Sequence, residues 1–352
     1  MRVTVKKLPK SEIEIEGELE ADAFEVYFAE ALERLGEHLE LDGFRKGKIP
    51  ESVLLSKVPE IRILEEMAEL ALGEHYPKIV EGEKLDVISR PEISITKLAR
   101  KNALGFKIKT AILPEIKLSD YKNTAKKIIS KITDAEKNIV VSAEDVENTI
   151  MDIRKSRAPK KHVTEGIKVS DTEDLVSDTS NLPEFNDEFV QALGPFKDVE
   201  DFKVKLKENI KLEKENAHRE KTRLKIIEKI IEDSSMELPE ILIEAELDKI
   251  LYQMESDITR MGLKFEDYLK HLSKTKEDLR KEFKNDAEKK AKLALILNEI
   301  AKIEKIVADQ EQLAKEVGTI LEHYKDADPE HARMHAENVL TNEKIFQFLE
   351  NQ

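Results

Sequence analysis

The sequence predicts an α+β N-terminal domain followed by an elongated, mostly α-helical C-terminal domain. Three features of the chain point there. Over residues 1–113, apolar side chains recur at spacings of two on either side of helical spacings of three and four. From residue 182 onward the spacing is three and four almost throughout. Across 352 residues, 38% are charged, 40% hydrophobic and only 5% aromatic. That balance suits long, solvent-facing amphipathic helices better than a thick globular core.

Val3 and Val5, then Ile13, Ile15 and Leu19, lie between charged residues and predict two half-buried strands. Phe24, Phe28, Ala31, Leu32 and Leu35 predict one helix from about Asp22 to His38. Leu64, Ala68, Ala71 and Leu72 predict a second, opening near Glu60, which Pro77 should kink or end. Ile93 and Ile95, then Phe106, Ile108, Thr110 and Ile112, return to a spacing of two, with Asn102 to Gly105 as a hairpin turn between them. Leu113-Pro114 closes the domain.

Residues 114–158 read as a mostly helical linker. Within it, Ser142-Ala143-Glu144-Asp145 opens a helix through Val146, Ile150 and Ile153 with a capping-box pattern. Residues 159–181 are polar, without a sustained period, and read as a loop or partly disordered connector. Residues 182–352 form the helical domain. Ser234-Ser235 and Leu238-Pro239 punctuate two helices, the second carrying Ile243, Leu247, Ile250, Met254 and Ile258 on one face. Leu293, Ile296, Ile300, Ile303 and Val307 make a helix-pairing seam, and Leu313, Val317, Ile320 and Tyr324 a further stripe.

Fifty-nine Lys and Arg against 74 Asp and Glu leave a net charge of −15. Generic coating of nucleic acid is excluded, because the overall field repels phosphate, and any RNA contact must come from a local basic feature. The absence of Cys excludes disulfides, a thiol nucleophile and Cys-ligated metal centres. No apolar core follows Met1-Arg2-Val3-Thr4-Val5-Lys6-Lys7, and no run approaches about 18 uninterrupted apolar residues. The expectation is a soluble intracellular protein.

The most unusual segment is Asp42-Gly43-Phe44-Arg45-Lys46-Gly47-Lys48-Ile49-Pro50, between two predicted helices. Gly43 and Gly47 permit backbone angles other residues resist, and Pro50 stiffens the exit. Arg45 can fork onto phosphate or carboxylate, Lys46 and Lys48 add point charges, and an exposed Phe44 can enter an apolar slot or stack on a base. On an acidic chain this makes a small docking tip for an anionic partner. The same string also reads as an ordinary hydrophilic turn with Phe44 tucked into its own core.

As a string, Gly43 to Pro50 resembles the Gly-Phe-Arg-x-Gly-Lys-x-Pro signature of the trigger factor family, bacterial ribosome-associated chaperones, and matches it throughout. Ser142 to Arg157 resembles that family's linker helix. Leu182-Pro183-Glu184-Phe185 with Glu188-Phe189, and Met236-Glu237-Leu238-Pro239-Glu240 with Leu242-Ile243 and Glu246, resemble helix openings of its C-terminal domain. The resemblance implies a ribosome-binding domain at 1–113, a helical linker at 114–158 and a substrate-cradle domain at 182–352. It implies docking to the large ribosomal subunit, to a ribosomal protein and adjacent rRNA at the exit tunnel, through Gly43, Phe44, Arg45, Lys46, Gly47, Lys48 and Pro50. The second partner is the nascent or unfolded polypeptide, held without ATP. No cofactor, metal or membrane partner is implied, the location is cytoplasmic, and a homodimer of the free protein is left open.

One departure stands out. Family members usually carry an FKBP-type prolyl isomerase domain between linker and helical domain, and here 159–181 occupies that place without a single aromatic residue. An isomerase pocket needs apolar and aromatic walls, so the expectation is a chaperone without that enzymatic activity. A ribosome-independent holdase or scaffold, and less readily a prolyl isomerase, are the alternatives.

Other signals are weaker. His331 and His335 are four apart and could share a metal-facing side of a helix, or simply lie on its surface. No Gly-x-Ser-x-Gly elbow supports a catalytic triad, and Gly43 to Lys48 lacks the spacing of a phosphate-binding loop. Lys203 to Lys214 alternates with Glu and reads as a solvated face. Met254, Met261, Leu263 and Phe265 are the candidates for an adaptable client-lining surface.

Overall fold

The computed structural model describes residues 1–39, 44, 49–132, 139–158 and 182–352. The connector reading of 159–181, and the expected docking residues Gly43, Arg45, Lys46, Gly47 and Lys48, lie outside the described residues.

In chain order the elements begin with β1 (Arg2–Leu8), β2 (Glu12–Leu19), α1 (Ala21–Glu25), α2 (Phe28–His38), α3 (Glu51–Lys57) and α4 (Glu60–Gly82). They continue with β3 (Glu92–Lys97), β4 (Leu104–Ala111), α5 (Tyr121–Ile129), α6 (Ala143–Arg157), α7 (Asp187–Leu193) and α8 (Val199–Asp233). The last five are α9 (Glu240–Arg260), α10 (Phe265–Leu272), α11 (Lys276–Glu304), α12 (Gln310–His323) and α13 (Pro329–Glu350). The chain packs as two units, Met1–Ser119 with Ile231–Val307, and Asp120–Ile230 with Ala308–Gln352.

In the first unit, four antiparallel strands form one sheet in the order β1-β2-β4-β3. The period of two places Ile13, Ile15 and Leu19 of β2 beside Leu104, Phe106 and Ile108 of β4 on one face, where all six are buried with residues of α1, α2 and α4. Gly17 stands opposite Phe106, and a Cβ there would lie 2.4 Å from the Phe106 ring, so the glycine makes room for the largest side chain of this face. The other face is a charge ladder in which Lys6 meets Glu16 at 3.0 Å, Lys109 meets Glu12 at 2.8 Å and Lys97 meets Glu18 at 2.9 Å.

Two helices and one turn differ from expectation. The helix read from Asp22 to His38 is two, broken at Val26 and Tyr27, where the Tyr27 hydroxyl donates to Glu74 at 2.7 Å and its ring stands edge-on to His75. Pro77 does not end α4, which runs on to Gly82. Leu72 before it and Ile79 after it are both buried in the sheet-and-helix core, and that anchoring outweighs the lost backbone bond. The turn between β3 and β4 falls at Arg100–Asn102, with Lys101 in the left-handed region at φ 55°, and Gly105 lies inside β4.

The same unit contains the hairpin of α9, α10 and α11. Leu247 and Ile243 pack against Ala287, Ala291 and Leu295, small residues letting the helix backbones approach closely. Leu251, Ile258, Phe265, Leu269 and Leu279 form the core nearer its turn. Thr275 and Asp278 close a capping box at the start of α11. The β1–β2 turn is fastened to the root of α9: the Lys10 amide donates to the Glu237 carboxylate at 3.0 Å, Lys10 Nζ to Glu240 at 3.0 Å, and Ser11 Oγ to the Glu237 carbonyl at 2.7 Å. The seam expected over Leu293 to Val307 holds at Ile296 and Ile300, which are fully buried, and fails at Ile303 and Val307, which are exposed where α11 ends.

In the second unit, Ile150, Val190 and Phe202 form a small core with Phe185, Phe189 and Phe196, the Phe196 and Phe202 rings edge-to-face at 4.9 Å. The capping box expected at Ser142 is present, and its Asp145 also accepts from Lys214 at 2.7 Å. That lysine, with the Ser142 backbone amide, holds the Asp145 carboxyl down at about 2. Leu313 is buried in α12 as its stripe predicts, whereas Tyr324 at the stripe's end is exposed.

Candidate functional site

The Gly43–Pro50 string is flanked in sequence by two helices held on the sheet. α2 ends with the Leu39 amide bonded to the Leu35 carbonyl. Pro50 is the N-cap of α3, and its carbonyl accepts from Val53 and Leu54 at 2.9 and 3.1 Å. Leu54 and Leu32 are buried, and Gly36 of α2 leaves space for Leu54, whose Cδ1 would lie 3.1 Å from an added Cβ. Beside these anchors Ala29, Gly36, Ile49 and Leu54 line a depression of about 250 Å³. Of the docking residues, the structure describes Phe44 and Pro50. Phe44 is 41% exposed and is not part of the sheet-and-helix core, so the tucked-in reading of its ring does not hold.

The client candidates separate into two kinds. Met261 and Leu263, at the turn between α9 and α10, are 76% and 56% exposed on either side of Gly262, which sits at φ +80°. Met254 is partly buried against the hairpin core. Phe265 is a correction: it is 6% exposed, packed in that core as the first residue of α10 with Lys276 above its ring, and is closed to a client in this structure. Its spacing of four to Leu269 is the signal of a packed helix face that reading it as surface overlooked. Tyr252 and Leu272 on the same hairpin are exposed and were not singled out by sequence.

His331 and His335 lie exposed on α13, and the Asp328 side chain caps the His331 amide at 2.9 Å. Among the described residues no group of three His, Asp or Glu side chains could hold a metal ion. Also among the described residues, no helix is long and apolar enough to cross a membrane.

Sequence reading missed one charged constellation. Arg223 of α8 is 7% exposed and reaches Glu343 at 2.8 Å and Glu350 at 2.6 Å on α13, with Arg219 on Glu350 at 2.9 Å and the Phe346 ring facing the Arg223 guanidinium. Hydrogen bonding from Arg223 holds the Glu343 carboxyl below the usual range. Burial pushes the Glu350 carboxyl up, and hydrogen bonds from Arg219 and Arg223 outweigh it and bring it below that range. A sequence signal existed: Arg223 precedes Ile226, Ile227 and Ile230 by three, four and seven, on the buried stripe of α8.

The N-terminal sheet-and-helix scaffold exposes Phe44, and the helical hairpin exposes Met261 and Leu263. The family described as "Bacterial trigger factor protein (TF)" matches residues 1–153, and "Bacterial trigger factor protein (TF) C-terminus" matches 198–349. Similar relatives include the trigger factor of Caldicellulosiruptor bescii, 24% identical over 92% of this chain and 89% of that protein. That of Carboxydothermus hydrogenoformans is 26% identical over 96% and 95%. A solved structure titled "Promiscuous Substrate Recognition in Folding and Assembly Activities of the Trigger Factor Chaperone" shares the fold at a TM-score of 0.56 and 20% identity, covering 100% of both chains. The chain belongs to the trigger factor family of ribosome-associated chaperones.

Proposed function

We propose that this chaperone docks at the ribosomal exit tunnel through Phe44, Arg45 and Lys46, with Gly43, Gly47, Lys48 and Pro50 shaping the loop, and holds emerging polypeptides without ATP. The single observation that carries the docking reading is the exposed Phe44 ring within a complete family string. The partners at the dock are a large-subunit ribosomal protein and adjacent rRNA. The domain at 1–113 binds the ribosome, 114–158 links, and 182–352 forms the cradle. Clients meet the hairpin at Met261 and Leu263, where weak contacts favour exposed apolar segments over any one sequence. The setting is the cytoplasm.

The chain holds rather than isomerises. Its alignments to relatives run over 396 and 404 residues, more than its own 352, so those relatives carry residues that face a gap here. The family matches leave only 154–197 between them, and within that span 159–181 brings no aromatic wall for a proline pocket.

Co-sedimentation with ribosomes tests the docking reading. Changing Phe44, Arg45 and Lys46 together to Ala should abolish ribosome binding and leave the melting temperature nearly unchanged, as surface substitutions do. A triple variant that sediments as well as the parent would remove the docking loop from the account and favour a ribosome-independent holdase.

A further inference from the structure

The apolar face of the sheet continues past its helical cover. Val5, Ile15, Ile108 and Ile93 stand opposite one another across the four strands, and Phe106 stands opposite Ile95. Ile15, Ile108 and Phe106 are fully buried, yet Ile93 is 46% and Ile95 40% exposed. β3 is one of the two edge strands of the sheet, the other being β1, and all the residues of β3 are exposed.

The ladder fixes which backbone groups of β3 point outward. At the end of β4 the Ile112 amide donates to Ser11 on one side, and the Ala111 carbonyl accepts from Ile88 on the other. Successive residues of an antiparallel strand turn alternately to its two neighbours, so odd-numbered residues of β4 face β3. Glu92 and Ser94, opposite Lys109 and Lys107, therefore bond inward. Ile93 and Ile95 turn their N–H and C=O groups away from the sheet. The same two residues thus offer an apolar side chain and an outward backbone. On the opposite face, Lys6, Glu14, Lys109 and Glu92 form a row that alternates in sign and ends on the Glu92 carboxylate.

We propose that β3 accepts an extended stretch of unfolded polypeptide as a fifth strand, with alternating apolar and polar residues and a Lys or Arg opposite Glu92. Main-chain bonds would supply sequence-tolerant affinity and the two Ile side chains a preference for alternation. Pro91 at one end and the irregularity between Ile95 and Lys97 at the other confine the open stretch to a few residues. So short an edge buries far less than the roughly 1,000 Å² of a specific dimer, which favours a transient client over a second copy of the chain. Only the biological source of the strand rests on the client-holding reading.

Hydrogen exchange of the full chain, with a short synthetic peptide alternating Val and Thr around one Lys, tests this. At saturation the Ile93 and Ile95 amides should exchange at least about ten-fold more slowly, as newly bonded amides do, while those of Glu92 and Ser94 stay as they were. Ile93→Pro removes an outward N–H at an edge position that tolerates proline and should weaken the peptide about ten-fold, or about 1.4 kcal/mol. Ile93→Thr keeps the N–H and should lose less. Glu92→Lys, whose folding does not depend on a proline, should move the preference from the Lys peptide to its Glu counterpart. Unprotected Ile93 and Ile95 amides, equal binding of a scrambled peptide, or an unchanged preference in Glu92→Lys would overturn the proposal. Protection that arises without peptide and grows with protein concentration would give the edge to a second copy and overturn the client assignment. Failure to suppress aggregation would sink the holdase reading and leave this test standing. Full suppression with unprotected amides would sink the edge alone.

Discussion

Replacing Arg223 with Leu should destabilise the second unit while leaving ribosome docking in place. Arg223 is 7% exposed and its guanidinium donates to two carboxylates on α13, each within 2.8 Å. Removing one partner of a buried ion pair costs about 3–5 kcal/mol, because the charge left behind is unpaired. Two features here lower that figure. The Glu343 side chain is 41% exposed and can recover water, and Glu350 keeps Arg219 at 2.9 Å. The lower end, about 3 kcal/mol, is therefore expected. Denaturant unfolding followed with a probe on α8 or α13 reads it, since a chain of two units need not unfold in one step. Changing Arg223, Glu343 and Glu350 together to Leu should recover most of the loss, because no charge is then buried alone. A loss below about 1 kcal/mol in the single variant would mean that the cluster is already solvated, and would refute the buried-charge reasoning.

The same cluster sets a pH dependence with a definite sign. Glu343 and Glu350 have carboxyl pKa values lowered from the ordinary 4.5. Their contribution is thus fully present above the unfolded value and is lost as pH falls through the lower, folded values. Acid should loosen α8 from α13 only below the ordinary carboxylate range, and Arg223→Leu should shrink that transition, leaving the part that Arg219 supports on Glu350. An acid transition of equal size in both proteins would place its origin elsewhere.

Three further outcomes follow from the docking and holding surfaces. Ribosome affinity should fall with salt at a logarithmic slope of roughly −1 to −3, the ceiling for a loop with three cations; a much steeper slope in a salt titration would reveal a second basic surface. Changing Met261 and Leu263 together to Ser should weaken suppression of client aggregation and shift stability by less than about 0.5 kcal/mol, because both side chains already face solvent; unchanged suppression in a light-scattering assay would move the client surface elsewhere. Replacing 159–181 with a short Gly/Ser linker should leave that suppression intact, and the parent should show no prolyl isomerase activity above background in a proline-peptide assay, since that segment's sequence brings no aromatic wall for a bond whose barrier is roughly 18–20 kcal/mol; acceleration by the parent would overturn the holdase-only account.

Strands were legible where one face is buried and the other charged. Ile13, Ile15 and Leu19, and Phe106 and Ile108, announced β2 and β4 because a period of two belongs to no helix. The same rule found β3 but not its exposure. Its Ile93 and Ile95 alternate as half-buried residues do, but burial depends on where the helical cover stops, which no local pattern encodes. α3 escaped notice because seven residues make too short a stripe to show a period. The break at Tyr27 and the passage of α4 through Pro77 are both set by tertiary contacts, a hydroxyl on Glu74 in one case and Ile79 in the core in the other. Met261, Leu263 and Phe265 look alike in sequence. A left-handed Gly262 and the start of α10 at Phe265 send the first two into solvent and the third inward.

A net charge of −15 has to be reconciled with the proposed docking onto rRNA, and the N-terminal sheet offers a way. Its outer face carries Glu12, Glu14, Glu16 and Glu18 on one strand, which unpaired would repel phosphate. Each of the four has a lysine within 4.0 Å: Lys109 for Glu12, Lys6 for Glu14 and Glu16, and Lys97 for Glu18. Cross-strand pairing thus leaves little field from this face beyond the first shell of water. The remaining acidic side chains act through solvent, where physiological salt screens beyond about 8 Å. An arginine and two lysines within four residues of one loop then dominate the potential felt by a phosphate that touches them. Lowering the salt should therefore strengthen those contacts and, at the same time, extend the reach of the acidic body. Ribosome affinity should rise less at low salt than three cations alone would give. Neutralising exposed carboxylates on α11 and α13 should steepen the slope toward −3 in the same titration, the limit set by one contact per cation. A slope unmoved by those substitutions would show that the body's charge never reaches the dock.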